Sequence, residues 1–183
     1  LHWLYFAAPS WQFFAWSAFL RLWAAGLFTY LFLRAIGVRF GAALTGSLGF
    51  AMCGFMVAWL GHMHTNVALF LPAFLWAVER LAKEPTLRRT GVMGLLVGLA
   101  LFGGHIQTAT HLAGVLILYT LFRARFSICK AKLDTRGVFL VGAAGILGIM
   151  LAMPQLLPFF DYLEDSMGAY TLENLEVVSE VDV

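Results

Sequence analysis

Long apolar runs separated by short polar or basic breaks fill the chain as far as residue 160, without the strict alternation that marks a half-buried strand. Such runs read as membrane-crossing helices, since a bilayer core of roughly 30 Å takes about 20 helical residues. The breaks predict an all-α fold, a polytopic transmembrane helix bundle of about six spans over residues 11–36, 40–60, 66–81, 90–103, 108–122 and 137–160. Residues 1–10, with Trp3 and Tyr5 ahead of Pro9, read as an outer interfacial segment, and residues 161–183 as an extracytoplasmic acidic tail of weak periodicity. The second span carries Ala43, Ser47 and Ala51 at every fourth position, a pattern that admits close approach by another helix. The third and fourth spans are short, about 21 to 24 Å at 1.5 Å per residue. Pro154 and Pro158 should kink or unwind the end of the sixth.

One pattern occurs twice. Gly61-His62-Met63-His64-Thr65 returns 43 residues later as Gly104-His105-Ile106-Gln107-Thr108, each time between two apolar runs, which makes a repeated helical hairpin. Gly61 and Gly104 are expected as left-handed caps, and Thr65 and Thr108 as N-caps of the following helices. A bare turn has no need of His62, His64, His105 and Gln107. Polar groups near a bilayer cost free energy unless they find partners, so the two tips should share a polar pocket. Asn66 adjoins the first tip, and His111 lies one helical turn beyond Gln107 on the same face.

Composition supports the membrane reading: 61% of the residues are hydrophobic and 12% charged, and mean hydropathy is +0.83, too apolar for a water-soluble domain. The net charge of +2 hides a strong asymmetry. With alternating loops, 11 of the 12 Lys and Arg residues fall on one side, which the positive-inside rule makes cytoplasmic, while seven of ten acids and all five His fall in the opposite half. The basic residues form short clusters between spans and not one continuous face, so nucleic acid is excluded as a partner. Cys53, mid-span, and Cys129, in a basic loop, lie at different depths and should not pair. The start at Leu1, without a leader pattern, reads as a piece of a longer polypeptide.

Other candidates surround the outer pocket. Arg21, about two thirds of the way from Arg34 to the outer surface, must snorkel or face the bundle, where its fork would suit a lipid phosphate. Gln155, between the two prolines, and Asp161, at the membrane end of the sixth span, could line a cavity. Glu79 and Arg80 read as an interfacial charge pair. The four His of the tips offer imidazoles for zinc, but their spacing matches no zinc signature and no ligating acid is fixed nearby. No metal ligand is assigned and no cofactor is required, although a divalent metal stays open.

The order of these features resembles the YfhO-like family of bacterial multi-pass membrane proteins, relatives of GT-C-type glycosyltransferases. The matching pieces are Ala25-Gly26-Leu27-Phe28-Thr29-Tyr30-Leu31-Phe32-Leu33-Arg34, Gly54-Phe55-Met56-Val57 through Gly61-His62, Gly104-His105-Ile106-Gln107-Thr108, and Met153-Pro154-Gln155-Leu156-Leu157-Pro158. The resemblance implies a bacterial cytoplasmic-membrane enzyme that transfers a sugar from a polyprenyl-phosphate carrier to an extracytoplasmic glycopolymer or other acceptor. The family's catalytic acid would precede Leu1, and Ile106 replaces the usual Pro of the second motif. Candidate bases here are His62, His105 and Asp161, with Arg21, His64, Asn66, Gln107, His111 and Gln155 binding substrate. Two rival readings are a transporter or flippase-like protein that holds substrate in the same pocket, and a non-catalytic membrane scaffold.

Overall fold

Apolar runs without a strand period fold as helices. The computed structural model describes residues 11–128 and 132–181, including the side chains of residues 13–128, 132–163 and 166. The interfacial segment expected over residues 1–10, Cys129, and the acidic side chains at 164, 165 and beyond lie outside the described residues and side chains. The elements are α1 (Trp11–Ala35), α2 (Phe40–Ala51), α3 (Gly54–Ala58), α4 (His64–Ala68), α5 (Phe70–Lys83), α6 (Leu87–Leu101), α7 (Ile106–Arg125) and α8 (Thr135–Val181). No strand occurs among the described residues.

Four helical stretches are long and apolar enough to cross a membrane: Phe13–Ala35, Phe40–Ala58, His64–Lys83 and Thr135–Leu163. The third reaches 20 residues because it starts at His64 and ends at Lys83, two residues beyond the expected boundary at each end. α6 and α7 are not among the four. α6 is 15 residues long, about 22 Å, and α7 carries polar or charged residues at both ends, among them Gln107, Thr108, Thr110 and His111 at one and Thr120, Arg123 and Arg125 at the other. Large apolar side chains face outward all round, among them Trp16, Trp23, Leu118 and Phe139, as expected of a surface that meets lipid.

Three local expectations are corrected. The second span is not continuous: Cys53 adopts an extended conformation (φ −64°, ψ 153°) between α2 and α3, next to Gly54. The sixth helix does not unwind at the prolines, since α8 runs through Pro154 and Pro158 to Val181 and takes in the acidic segment of weak periodicity. Both prolines are exposed. Glu79 does not pair with Arg80. Consecutive helical residues point about 100° apart, so Glu79 faces the core while Arg80 faces out.

α5 is the middle of the bundle. Its Ala73, Phe74, Ala77, Val78 and Leu81 are buried against Met93, Leu96 and Ala100 of α6, Leu112 of α7, and Leu140, Val141 and Ala144 of α8. A second cluster joins Ala25 of α1, Met56 of α3 and Ala68 of α4, and Phe28 and Phe70 touch both clusters. The small-residue stripe of α2 does what its spacing predicts: Ala43, Ser47 and Ala51 are all buried, with Ala51 and Ser47 facing Gly26 of α1. α6 and α8 approach closely: a Cβ placed on Gly148 would lie 2.5 Å from Val97 Cβ and 2.9 Å from the Gly94 carbonyl. Without a hydrophobic force between helices in lipid, such backbone proximity is a main source of cohesion.

The basic loops gather at one end. Gly37 takes φ +88° after α1, and the amides of Val38 and Gly37 return to the carbonyls of Leu33 and Arg34. Lys83 Nζ donates to the Ala35 carbonyl at 2.6 Å, so α5 and α1 end together. At this end the Glu79 carboxylate accepts from Arg123 Nε (2.5 Å), Arg123 Nη2 (3.2 Å) and the Tyr119 hydroxyl (2.7 Å), with Glu79 and Arg123 both fully buried. Arg123 Nη1 also donates to the Phe126 carbonyl at 2.7 Å, tying α5 to the exit of α7.

Candidate functional site

At the opposite end the two hairpin tips meet. Gly104 turns the chain with φ +82°, as its motif position predicts, but Gly61 does not take a positive φ. Neither threonine is an N-cap. α4 begins at His64, and the buried Thr65 donates its hydroxyl to the carbonyls of Trp59 (3.4 Å) and His62 (3.3 Å). In the second tip the cap is His105, whose Nδ1 accepts the Thr108 amide at 3.1 Å and lies 2.8 Å from the Thr108 hydroxyl. An imidazole nitrogen thus does the work usually given to a Ser or Asp oxygen at a helix start.

The rings of the two tips stack. His64 lies against His105 with centroids 3.9 Å apart and planes at 36°, and against Trp59 at 4.4 Å, also at 36°. His62 meets Trp59 edge-on at 5.2 Å. Stacked rings present faces to one another and not converging lone pairs, so they do not form the zinc set considered from the sequence. Among the described residues, no three His, Cys, Asp or Glu side chains come together as metal ligands.

Beside the stack opens a cavity of about 470 Å³. Its polar wall is His64, His105, Gln107, Thr108 and His111, drawn from both tips; its apolar wall includes Phe55 and Met56 from α3, Leu71 from α5 and Leu112 from α7. The two tips therefore share one cavity, polar on the side of His64, His105, Gln107, Thr108 and His111 and apolar elsewhere. The break at Cys53 builds part of it, since Phe50, Cys53, Phe55 and Met56 on either side of the break all line the cavity. His111 is held in place by its Nδ1, 2.8 Å from the Gln107 carbonyl one turn earlier.

Not every predicted residue converges here. His62 stays on Trp59, outside the cavity lining. Arg21 faces the bundle, with Nη1 donating to the Leu60 carbonyl at 2.7 Å and Nη2 to Ser17 Oγ at 2.8 Å. It braces the first tip from behind and does not line the cavity. Gln155 and the exposed Asp161 of α8 are also outside the lining. Among the described residues, the buried polar atoms Arg21 Nε, His64 Nδ1 and Asn66 Oδ1 have no hydrogen-bond partner, and all belong to or brace the first tip.

Three features of the site were not read from the sequence: Trp59 as the partner of both first-tip histidines, Cys53 as the break that shapes the wall, and the capping role of His105. Trp59 stands two residues before Gly61 and could have been found by asking what lies against the imidazoles. The other two have no local sequence signal. Comparison of the chain with protein-family models, with curated proteins and with solved structures finds no match.

Proposed function

We propose that this chain is the membrane-embedded part of a GT-C-type glycosyltransferase, lying in a bacterial cytoplasmic membrane with its basic end inside. The histidine-lined cavity receives the sugar-phosphate head of a polyprenyl-phosphate-linked donor, and the acceptor arrives from the extracytoplasmic side. The observation that carries this reading is the double lining of the cavity: imidazole, amide and hydroxyl groups on one wall and apolar side chains on the other suit an amphiphile. His105 is the preferred donor to the phosphate: its Nδ1 accepts from the Thr108 amide, so the neutral ring carries its proton on Nε2. His111 is the preferred general base, since its Nδ1 donates to the Gln107 carbonyl and leaves Nε2 to take a proton.

The test is transfer from a radiolabelled polyprenyl-phosphate sugar in membranes carrying the full-length polypeptide. His111→Gln cannot serve as a base and leaves the His105 cap in place, so transfer should fall about 100-fold while helix content and melting stay unchanged. Undiminished transfer in both His111→Gln and Gln107→Ala would overturn the reading. Loss of lipid movement across vesicles with transfer intact would replace it with the transporter reading.

A further inference from the structure

Because Glu79 is held inside the bundle by Arg123, its sequence neighbour Arg80 is left on the surface without an acidic partner among the described residues. Arg80 opens, with Arg88 and Arg89, onto a crevice of about 480 Å³ between α5 and α6. This is a different place from the histidine cavity, at the other end of α5. Trp76 and Val92 give the crevice an apolar wall, and Glu84 is the acid in its lining. Arg89 already holds that carboxylate and also donates to the carbonyls of Arg80 (2.6 Å) and Glu84 (3.1 Å). The side chains of Arg80 and Arg88 make no hydrogen bond or ion pair among the described residues, and both residues are exposed. Three guanidiniums therefore face one carboxylate, and the two that are uncommitted sit beside the one that is locked.

Two observations say what fits. Arg80 lies in the last turn of a stretch apolar enough to cross a membrane, His64–Lys83, so the crevice sits where that stretch leaves the hydrocarbon and lipid phosphates begin. The first turn of α6 also points into the neighbourhood without a side-chain cap at Thr86, which adds the positive end of a 15-residue helix. We propose that this crevice binds the phosphate of an anionic membrane phospholipid, with Arg80 and Arg88 gripping the phosphate oxygens and Trp76 flanking the upper part of the lipid.

The experiment compares lipid retention by the detergent-solubilised chain, read by native mass spectrometry, after exposure to phosphatidylglycerol or phosphatidylcholine. Phosphatidylglycerol should be retained in preference, and Arg80→Gln/Arg88→Gln should lose it about tenfold. Arg39→Gln/Arg136→Gln removes the same charge from exposed positions and should leave retention unchanged; thermal melting of both double variants confirms that each folds. Equal loss in the two double variants would reduce the effect to diffuse attraction and overturn the proposal, as would equal retention of the two lipids. Displacement of the lipid by excess inorganic phosphate would assign the crevice to a free anion instead.

Discussion

Removing Glu79 tests the most consequential contact at the basic end. The carboxylate and the Arg123 guanidinium are both fully buried and joined by two hydrogen bonds, with a third from Tyr119. Glu79→Leu would leave Arg123 inside the bundle without its carboxylate, and an uncompensated buried charge costs about 3 to 5 kcal/mol. Tyr119→Phe removes one hydrogen bond to a charged group and should cost about 1.5 kcal/mol. The pair itself is a weaker stabiliser than either figure implies, since both ions were taken out of water to form it. Glu79→Leu/Arg123→Met should therefore recover most of the loss and lie within about 2 kcal/mol of the parent. Unfolding in mixed micelles, followed by far-ultraviolet circular dichroism across the double-mutant cycle, reads all four values. A cost below about 1 kcal/mol for Glu79→Leu would refute the reasoning, because it would place the pair with solvent-exposed bridges. So would a double variant as unstable as the sum of its parts.

Two further outcomes follow from named contacts. Gly148→Ala would force its new methyl against Val97 and the Gly94 carbonyl, separating α6 from α8 at a cost of about 1 to 3 kcal/mol, whereas Gly142→Ala, with nothing within 4 Å, should be neutral or gain about 0.5 kcal/mol; melting temperatures of the two variants compare them directly. His105→Ala should lose about 1 kcal/mol with the N-cap of α7, and His105→Asn should not, as measured by the same unfolding assay.

The all-helical class and the meeting of the two tips were legible because both follow from periodicity and repetition. Apolar length marks a helix whatever surrounds it, and two like motifs on neighbouring hairpins fall at the same end whatever their packing angle. The stripe of Ala43, Ser47 and Ala51 was legible for the same reason, as a local spacing that asks for a close neighbour. Partner choice was not. Glu79 could pair with adjacent Arg80 on sequence distance alone, and only the rotation of α5 decides for Arg123, 44 residues away. Gly94, Gly98 and Gly148 look like scattered glycines until α6 and α8 are laid together. The prolines of α8 misled because each removes only one amide donor, and the hydrogen bonds of the turns on either side carry the helix through. His105 was read as chemistry and not as a cap, since capping is usually the work of oxygen.

Nearly one continuous helical run, interrupted at Leu69, carries His64 at the start of α4 and both Glu79 and Arg80 near the end of α5. The two ends of the bundle are therefore tied to the same element. Its window is 61% buried, against 22% to 33% for the other three candidate crossings, so it is gripped along most of its length. The positions of the imidazole stack and of the guanidinium crevice are thus set by one element, so a substitution that shifts its packing against the core would move His64 and Arg80 together.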